Sequence, residues 1–595
     1  MKMRTLLSIG LLLAALTGCA PKPAVWAPVG ENIRTPWAET LNPASVHPEY
    51  PRPQMARGNW LCLNGPWDCA FRVSGGVPDH FDRQILVPFS PETELSGVGR
   101  ALGKDETLWV HRCVTLPEQF AGKRILLHFG AVDQEAAVWV NGRLAAQHLG
   151  GYLPFETEIT GLLNGPDIEI LVRVRDETDA GERSRGKQKT KRGGIWYTPQ
   201  SGIWQTVWLE AVPREYIQSL RITPDYDRAC VLVEAELSGH TPAYAHFRGG
   251  EYPLPALIPV PDFEPWTPEH PKLYDFTVHC GEDRVESYFA MRKFSVEKDA
   301  QGIPRLFLNN APYFHNGLLD QGYWPDGLYT PPTDEAMVFD IRTAKDMGFN
   351  MLRKHIKVEP LRWYYHCDRL GMLVWQDMPS GGGQYNPAVI TAPLLTGVHL
   401  KDSAYGLFAR SDESCRAAYQ TELADMVRHL YNCPCICMWV PFNEGWGQFD
   451  AAKMLELVRS LDPTRTVDHA SGWHDQGVGE VRSLHVYFTR YRFKPDTKGR
   501  ATLLSEFGGY ILAVEGHRFS EKLFGYKKLE TPEKLAEALR RLYSREIAPA
   551  KAAGLAAAVY TQLSDVEDEL NGLLTYDRQV VKLDPKTVKE IIWVE

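Results

Sequence analysis

The second half of the chain constrains the fold most strongly. From about residue 298 onward, short apolar runs alternate with stretches of helical periodicity. This alternation is typical of β/α units, whose parallel strands are buried on both faces and are therefore apolar along their whole length. Eight parallel strands close a barrel, and eight such runs are present, at 313–317, 350–353, 372–377, 436–444, 466–468, 484–487, 503–506 and 557–560. The sequence predicts a (β/α)8 TIM barrel over residues 298–595.

Polar side chains gather at the late ends of these runs. In a closed barrel, the carboxyl ends of all the strands surround one bowl, and active sites lie in that bowl. We therefore expect a single functional site there, built from Asn316, Arg353, Asp377, Asn443, Glu444, His485, Tyr487, Glu506 and Gln562.

Two glutamates carry the most information about chemistry. Glu444 ends one apolar run and precedes Gly445, and Glu506 ends another and precedes Phe507-Gly-Gly. A single glutamate at a strand end is more often a solvated or structural residue. A pair at two strand tips suits glycoside cleavage, which needs a proton donor and a nucleophile or base on either side of the scissile bond.

The segments around both glutamates resemble those of a known family. Phe442-Asn-Glu444 resembles the Asn-Glu acid/base signature of glycoside hydrolase family 2, and Ser505-Glu506-Phe-Gly resembles its nucleophile signature. The family includes β-galactosidases, β-glucuronidases and β-mannosidases. The resemblance implies a retaining, exo-acting glycosidase that needs no cofactor, with Glu444 as acid/base and Glu506 as nucleophile. Its substrate would be an oligosaccharide or polysaccharide.

The same resemblance suggests roles for other residues. Arg353 lies in an Asn-x-x-Arg segment and would keep Glu506 ionised, although a purely structural ion pair is the alternative. Asn443 would bond the 2-hydroxyl of the sugar, and Tyr487 would donate to Glu506 unless it is a core tyrosine. Weaker candidates for the pocket wall are Asp377, Trp446, Trp473 and Gln562.

Two departures from the family pattern bear on the substrate. The family usually reads x-Ser-His-x-Pro after the arginine, whereas His355 comes one position early. His355 is therefore a candidate to bond a sugar hydroxyl, and the direction of its ring is left open. Family β-glucuronidases carry Asn-x-Lys near the last strand, but this chain has Glu569-Leu-Asn571-Gly there. The missing lysine weakens the case for a β-glucuronidase, and β-galactosidase is the leading prediction. A β-glucuronidase or a hydrolase of a rarer sugar is the alternative, since Lys354, Lys357 and a basic loop leave acidic sugars open.

Two β-rich segments precede the barrel. Residues 46–212 contain short alternating runs broken by turns and predict an antiparallel β-sandwich; the runs 108–112, 139–142 and 151–156 resemble the family's jelly-roll sugar-binding domain. Residues 213–297 predict a smaller, immunoglobulin-like β-sandwich. The basic loop 183–192 belongs to the first sandwich, and a solvated loop is its default interpretation. The alternative is that it reaches over the barrel mouth, with Lys187 and Gln188 contacting substrate.

Composition excludes several other functions. The net charge of −9 opposes nucleic-acid binding, which requires a basic face. Cys433, Cys435 and Cys437 alternate along a presumed strand, as in a thiolate cluster, but no histidine joins them at zinc-ligand spacing, so core packing is favoured and no metal site is expected. The rival from another class is a catalytically inactive, carbohydrate-binding lipoprotein. Homo-oligomerisation is left open.

The N-terminus indicates export. Lys2 and Arg4 precede an apolar run that ends in Leu16-Thr-Gly-Cys19, which resembles a lipoprotein signal and implies cleavage before a lipidated Cys19. The alternative is an ordinary signal peptide with an incidental cysteine. Ala20 favours the outer membrane, so the protein is expected in the periplasm or at the cell surface. The Pro-rich residues 20–45 are interpreted as a linker or arm.

Cys19→Ser should abolish membrane retention and leave hydrolytic activity intact. Two or more acyl chains give stable attachment to a bilayer, and the substitution removes the thiol that carries them. Fractionation of cells before and after a high-salt wash measures the effect, with activity of the soluble fraction as the control. If the variant stays with the membranes, the lipid is not the anchor.

Overall fold

The computed structural model describes residues 26–73, 76–391, 393 and 396–593, and the predicted signal with Cys19 lies outside these ranges. Within them the chain forms two antiparallel β-sandwiches followed by a parallel eight-stranded barrel. The predicted fold class is therefore confirmed. None of the helices in the described part of the chain has both the length and the apolar composition to span a membrane.

The first sandwich packs a six-stranded sheet against a four-stranded sheet. Its strand Asp167–Arg175 shows why the layers form: Ile168, Ile170, Val172 and Val174 alternate with exposed or half-buried residues and enter the core between the sheets. In spatial order the larger sheet is Arg83–Val87, Gly65–Arg72, Thr107–Thr115, Asp167–Arg175, Glu135–Val140 and Arg143–Leu149. The smaller sheet is Trp60–Cys62, Val207–Val212, Arg124–Phe129 and Phe155–Glu158, and a short ladder pairs Val132–Asp133 with Gly202–Ile203.

The second sandwich is smaller and has its own apolar core, which includes Val231, Val278 and Val285. One sheet contains Ile217–Asp225, Cys230–Leu237 and Ala256–Pro259, and the other Gly250–Pro253, Ala243–Phe247, Tyr274–Cys280 and Asp283–Phe289. A ribbon of Phe294–Lys298, Pro304–Leu308 and Ala311–Pro312 then leads into the barrel.

The barrel contains all eight predicted strands. Numbered β1 to β8 in chain order, they are His315–Asp320, Met351–Lys354, Leu373–Asp377, Ile436–Val440, Thr466–Val467, Val481–Val486, Ala501–Gly508 and Leu555–Thr561. Neighbours pair in parallel in the order β5-β4-β3-β2-β1-β8-β7-β6, and no ladder joins β5 to β6. The barrel is therefore closed except for one seam between these two strands.

Helices surround most of the barrel. Several begin at a side chain that accepts a backbone N–H of the first turn: Thr333, Asp412, Thr531 and Asp584. The barrel helices are Asp334–Asp346, Leu361–Leu370, Pro387–Ile390, Glu413–Leu430, Ala451–Leu461, Pro532–Leu542, Ala548–Ala553 and Pro585–Ile592, with a π-turn at Tyr543–Ile547. Pro36–Glu39 forms a short helix near the start, and a short ladder pairs Tyr510–Leu512 with Lys527–Leu529. The fully described stretch from β5 to β7 contains no helix.

Two strand predictions differ from the structure in a way that affects the site. The fourth strand ends at Val440 and not at Glu444, because Pro441 has no N–H for the ladder. The first strand is shifted by two to three residues, so Asn316 lies near its start. The Asn316 amide donates to the Ile592 carbonyl of the C-terminal helix at 3.3 Å. The expectation that Asn316 faces the bowl is wrong.

The segment before the first sandwich packs on the folded body. The Trp26 indole N–H donates to the Leu95 carbonyl at 3.1 Å. Further along, Thr35 is fully buried and donates through both its N–H and its hydroxyl to the Asp326 carboxylate in the barrel domain, at 2.8 and 2.6 Å. From Trp26 onward the predicted arm is thus fixed to the protein surface.

Candidate active site

The turn after β4 places Glu444 in the bowl. Its φ of 50° lies in the left-handed region, and Gly445 follows at 73°. A Cβ on Gly445 would lie 2.6 Å from the ring of His474, so only glycine fits this turn. The Glu444 N–H donates to the Ser471 carbonyl at 2.9 Å, which ties the turn to the segment after β5.

Glu506 lies on β7 with its carboxylate buried among donors. Arg353 Nη1 donates to Oε1 at 3.0 Å, and the Tyr487 hydroxyl donates to Oε2. Burial alone would raise the pKa of this carboxyl, but His485, Arg353 and Lys187 outweigh burial and hold the pKa below its ordinary value. Glu506 is therefore ionised at neutral pH.

The Arg353 guanidinium joins four strands or strand ends. It is fully buried on β2 and donates to both oxygens of Asp377 on β3, each at 3.0 Å. Nη2 also donates to Asn443 Oδ1 at 2.8 Å beyond β4, and Nη1 donates to Glu506 on β7. Charge-assisted bonds of this kind set both position and charge, because the planar guanidinium offers its donors in fixed directions.

Asp377 orients other residues and is not simply part of the wall. It is 1 % exposed and receives Arg353 as well as His355 Nδ1 at 2.7 Å. Burial raises the pKa of Asp377 to about 6, although the Arg353 charge acts to lower it. Burial, with Lys187 and Arg353 next in importance, lowers the pKa of His355 well below its ordinary value. A neutral His355 that donates from Nδ1 has an acceptor at Nε2, and this buried atom has no partner in the described chain.

His485 connects the two glutamates, a role that we did not assign from the sequence. Its Nδ1 lies 2.8 Å from Glu444 Oε1, and its Nε2 lies 3.6 Å from Glu506 Oε1. One oxygen of each glutamate and one His485 nitrogen all lie within 4.8 Å of one another. His485 and Tyr487 are two residues apart near the end of β6, so their side chains point to the same side. This spacing is visible in the sequence and could have placed His485 beside Tyr487 in the site.

Asn443 is held with its amide nitrogen free. Its oxygen accepts from Arg353, and its buried Nδ2 has no partner within the described residues. A buried unpaired donor costs free energy unless a ligand or water satisfies it. The arrangement suits donation to a substrate hydroxyl.

An aromatic cluster lies beside the carboxylates. The ring centroid of Trp446 lies 5.3 Å from that of Trp196 and 6.4 Å from that of Tyr385, and the buried Trp446 N–H has no partner in the described chain. Trp473 lies 6.4 Å from His485 by ring centroids. Trp196 belongs to the first sandwich, and neither Trp196 nor Tyr385 was among the predicted site residues. Such faces can stack on sugar rings.

The basic loop 183–192 is not solvated along its inner half. Residues Ser184 to Gln188 are buried, and Arg185 Nη1 donates to the Gly382 carbonyl of the barrel at 2.6 Å. The default interpretation of this loop is therefore wrong for these residues. Lys187 reaches the site, with Nζ 5.4 Å from the Trp446 ring centroid. Gln188 instead has a structural partner, because its side-chain oxygen accepts from the backbone N–H of Gln200 at 3.0 Å.

Three other candidates have structural partners of their own. The Gln562 amide donates to Asn571 Oδ1 at 2.8 Å and accepts from Gln321. Lys354 pairs with Asp320 at 2.6 Å, and Lys357 shares Glu359 with Lys354. The suggestion that these two lysines bind an acidic sugar is not supported by their positions.

Glu444, His485 and Glu506 form the one group in the described chain whose spacing would suit a metal ion. Their donor chemistry fits poorly, because the Arg353 guanidinium already lies 3.0 Å from a Glu506 oxygen and would repel a cation there. We therefore derive the chemistry from the side chains alone.

A TIM barrel behind two β-sandwiches, with two carboxylates and an arginine in its bowl, defines the class of TIM-barrel glycoside hydrolases. Residues 332–507 match the family model described as "Glycosyl hydrolases family 2, TIM barrel domain". Residues 63–213 match the one described as "Glycosyl hydrolases family 2, sugar binding domain". Together the two regions make up more than half of the chain. The chain belongs to glycoside hydrolase family 2, as the sequence motifs predicted.

Individual relatives are distant. A β-galactosidase of Thermoanaerobacter pseudethanolicus is 22 % identical over 443 residues, which cover 70 % of this chain and 55 % of that protein. A putative β-glucuronidase of Formosa agariphila is 23 % identical over 466 residues, covering 69 % and 50 %. The chain thus spans about half the length of these relatives. An uncultured Clostridium sp. β-glucuronidase structure shares the fold, with a TM-score of 0.71, 17 % identity and coverage of 90 % of this chain and 98 % of that one.

Tyr487→Phe should reduce kcat/KM by about 10- to 100-fold at neutral pH, because it removes one hydrogen bond to a buried carboxylate. Losing this donor raises the pKa of Glu506, so the acidic limb of the pH profile should move to higher pH and the loss should deepen as pH falls. Steady-state rates across the acid range measure both effects. Tyr510→Phe is the matched control, because among the described residues the Tyr510 hydroxyl is hydrogen-bonded to neither glutamate. A uniform loss at every pH would contradict the role.

Proposed function

We propose that this chain is a retaining, exo-acting β-glycosidase. The observation that carries the proposal is the pair of carboxylates, of which one oxygen of Glu444 lies within 4.8 Å of one oxygen of Glu506. Retaining enzymes place their carboxyl groups about 5–5.5 Å apart, whereas inverting enzymes leave about 6.5–9.5 Å for a water molecule. The distance supports direct attack by one carboxylate on the sugar.

The environments of the two glutamates support different roles. Glu506 is kept ionised and aligned by Arg353 and Tyr487, as a nucleophile requires. Burial and the Glu506 charge raise the pKa of Tyr487, so its phenol keeps the proton that it donates. Glu444 contacts His485 and has no arginine or lysine partner within 4.0 Å in the described chain, which suits a group that must carry a proton when the substrate arrives.

The reaction then proceeds in two displacements. The Glu506 carboxylate attacks the anomeric carbon while the bond to the leaving oxygen breaks and Glu444 gives that oxygen a proton. In the second step Glu444 takes a proton from water, the water oxygen attacks the anomeric carbon, and Glu506 is released as carboxylate. Asn443 Nδ2 donates to a sugar hydroxyl, and His355 Nε2 accepts from another.

The mouth of the bowl supports exo action. Loop 183–192 of the first sandwich and the preceding Glu182 contact the barrel after β3, where the Gly382 N–H donates to the Glu182 carbonyl at 3.1 Å. A Cβ on Gly381 would lie 2.5 Å from the Arg183 carbonyl, so the two loops touch without a gap. One side of the bowl is thus closed, which suits a pocket for a chain end better than an open cleft.

The relatives named above are β-galactosidases and β-glucuronidases, so terminal β-linked hexopyranosides are the proposed substrates, with a β-galactoside as the candidate from the sequence. The proposed place of action is the periplasm or cell surface, with Cys19 lipidated. Intact sugar binding without turnover of any aryl glycoside would favour the rival interpretation, an inactive carbohydrate-binding protein.

The first product released should have the same anomeric configuration as the substrate. Proton NMR of the first minutes of hydrolysis of a cleaved aryl β-glycoside distinguishes the β-anomer from the α-anomer before mutarotation. Initial release of the α-anomer would remove Glu506 from its assigned role as nucleophile.

Glu444→Ala should retain activity on substrates with very good leaving groups and lose it on poor ones, because only a poor leaving group needs a proton. Azide should restore turnover by occupying the space of the carboxylate and attacking the glycosyl-enzyme. Rates on a series of aryl glycosides of increasing leaving-group pKa test this, with Glu506→Ala as the comparison variant. Equal losses across the series for Glu444→Ala would argue against the acid role.

A further inference from the structure

One buried lysine in the described part of the chain lacks a counter-ion. Four lysines there are buried: Lys187, Lys354, Lys357 and Lys582. The last three each lie within 2.8 Å of an aspartate or glutamate oxygen. No carboxylate of the described residues lies within 4.0 Å of Lys187 Nζ. Since a buried, unpaired ammonium is costly, its position needs an explanation that the other three do not.

The loop holds Lys187 rigidly toward the bowl. The Gly186 N–H donates to the Tyr152 hydroxyl at 2.5 Å, and a Cβ there would collide with the Tyr329 hydroxyl at 1.8 Å. On the other side, the Lys187 carbonyl accepts from the Tyr197 N–H at 2.8 Å. The backbone on both sides of Lys187 is therefore fixed, and the ammonium is placed by the fold.

The Lys187 ammonium acts on the catalytic centre through space. It lies against the face of Trp446, and its charge contributes to the lowered pKa of both Glu506 and His355. Yet it touches neither Glu506 nor Asp377, because these carboxylates already receive Arg353, Tyr487 and His355. A positive charge thus faces the sugar site with no direct partner.

A second buried cation of the same loop, Arg185, also lacks a carboxylate partner among the described residues. Arg185 is 5 % exposed, donates to the carbonyls of Gly382 and Gly383, and has no carboxylate partner within 4.0 Å in the described chain. By contrast, Arg192 at the end of the loop pairs with Glu567 and Asp568. The buried part of the loop therefore carries two cations without a carboxylate partner within 4.0 Å among the described residues, and Lys187 is the one that acts on the catalytic centre.

We infer that the substrate carries a carboxylate, namely a terminal β-linked hexuronide, and that Lys187 is the residue that pairs with it. The inference rests on the proposed glycosidase function and refines its substrate class from a neutral hexoside to an acidic one. The carboxylate supplies the missing counter-ion, while the unpartnered atoms of Asn443 and His355 bond hydroxyls. The cation that selects the substrate comes from the first sandwich and not from the barrel.

Matched substrates test this inference directly. The 4-nitrophenyl β-D-galactopyranoside and β-D-glucopyranoside differ from the corresponding uronides only at C6. We expect the wild-type enzyme to cleave at least one uronide with a kcat/KM about tenfold or more above that of its neutral partner. Lys187→Met should lower the uronide value by roughly 10- to 100-fold and change the neutral value by only a few fold. Lys187→Arg should restore part of the uronide activity.

The control is Lys191→Met, which removes the same charge from an exposed position of the same loop and should leave both values unchanged. Equal losses on uronide and neutral hexoside for Lys187→Met would show that Lys187 serves only the charge of Glu506 and would overturn the inference. Cleavage of a neutral hexoside with no turnover of either uronide would also overturn it, while leaving the proposed function intact.

Binding separates the two proposals if no aryl glycoside is turned over, which would defeat the proposed function. Calorimetric titration with galacturonic acid, glucuronic acid, galactose and glucose needs no catalysis. Tighter binding of one acidic sugar than of its neutral partner, lost in Lys187→Met but kept in Lys191→Met, supports the role of Lys187. Equal binding of acidic and neutral sugars to the wild-type protein contradicts it.

Discussion

The Arg353 guanidinium is the interaction on which the site depends. It is fully buried on β2 and donates to side chains of β3, β7 and the turn after β4. Two carboxylates share its charge, so removing it would take the only arginine or lysine partner within 4.0 Å among the described residues from both Asp377 and Glu506, a type of loss that costs about 3–5 kcal/mol in buried ion pairs. The strands of a barrel can slide relative to one another only if these bonds break. Arg353 therefore sets the register of the bowl as well as the charge of the nucleophile.

The site is built by two domains. The barrel supplies both glutamates, and the first sandwich supplies Lys187 and Trp196, through a loop in which Gly186 fits only because it lacks a Cβ. Gly381 makes the matching close approach from the barrel side. Because both loops contact each other through backbone, a small shift between the domains would move the Lys187 ammonium and one aromatic wall together. The domain that carries the family description of sugar binding thus contributes to the pocket through this loop.

Most of the barrel could be predicted from the sequence because strand burial is a local property. All eight apolar runs contain strands, and the glycine Gly508 after Glu506 marks the end of β7, whereas β4 ends at Val440, four residues before Glu444. What could not be predicted depends on tertiary position. Asn316 was misplaced because a shift of two or three residues along a fully apolar run leaves the pattern unchanged. Asp377 was expected in the wall, but its role follows from Arg353 and His355, which meet only in the folded barrel.

If Cys19 is acylated, the docking of the N-terminal segment limits how far Trp26 can lie from the membrane. Since Trp26 is already hydrogen-bonded to the first sandwich, only the residues between Cys19 and Trp26 could act as a leash. Seven residue steps extend to at most about 25 Å, which is less than the thickness of a bilayer with its headgroups. In an acylated form Trp26 would therefore lie within one bilayer's thickness of the lipid, with the protein's orientation restricted by the surface.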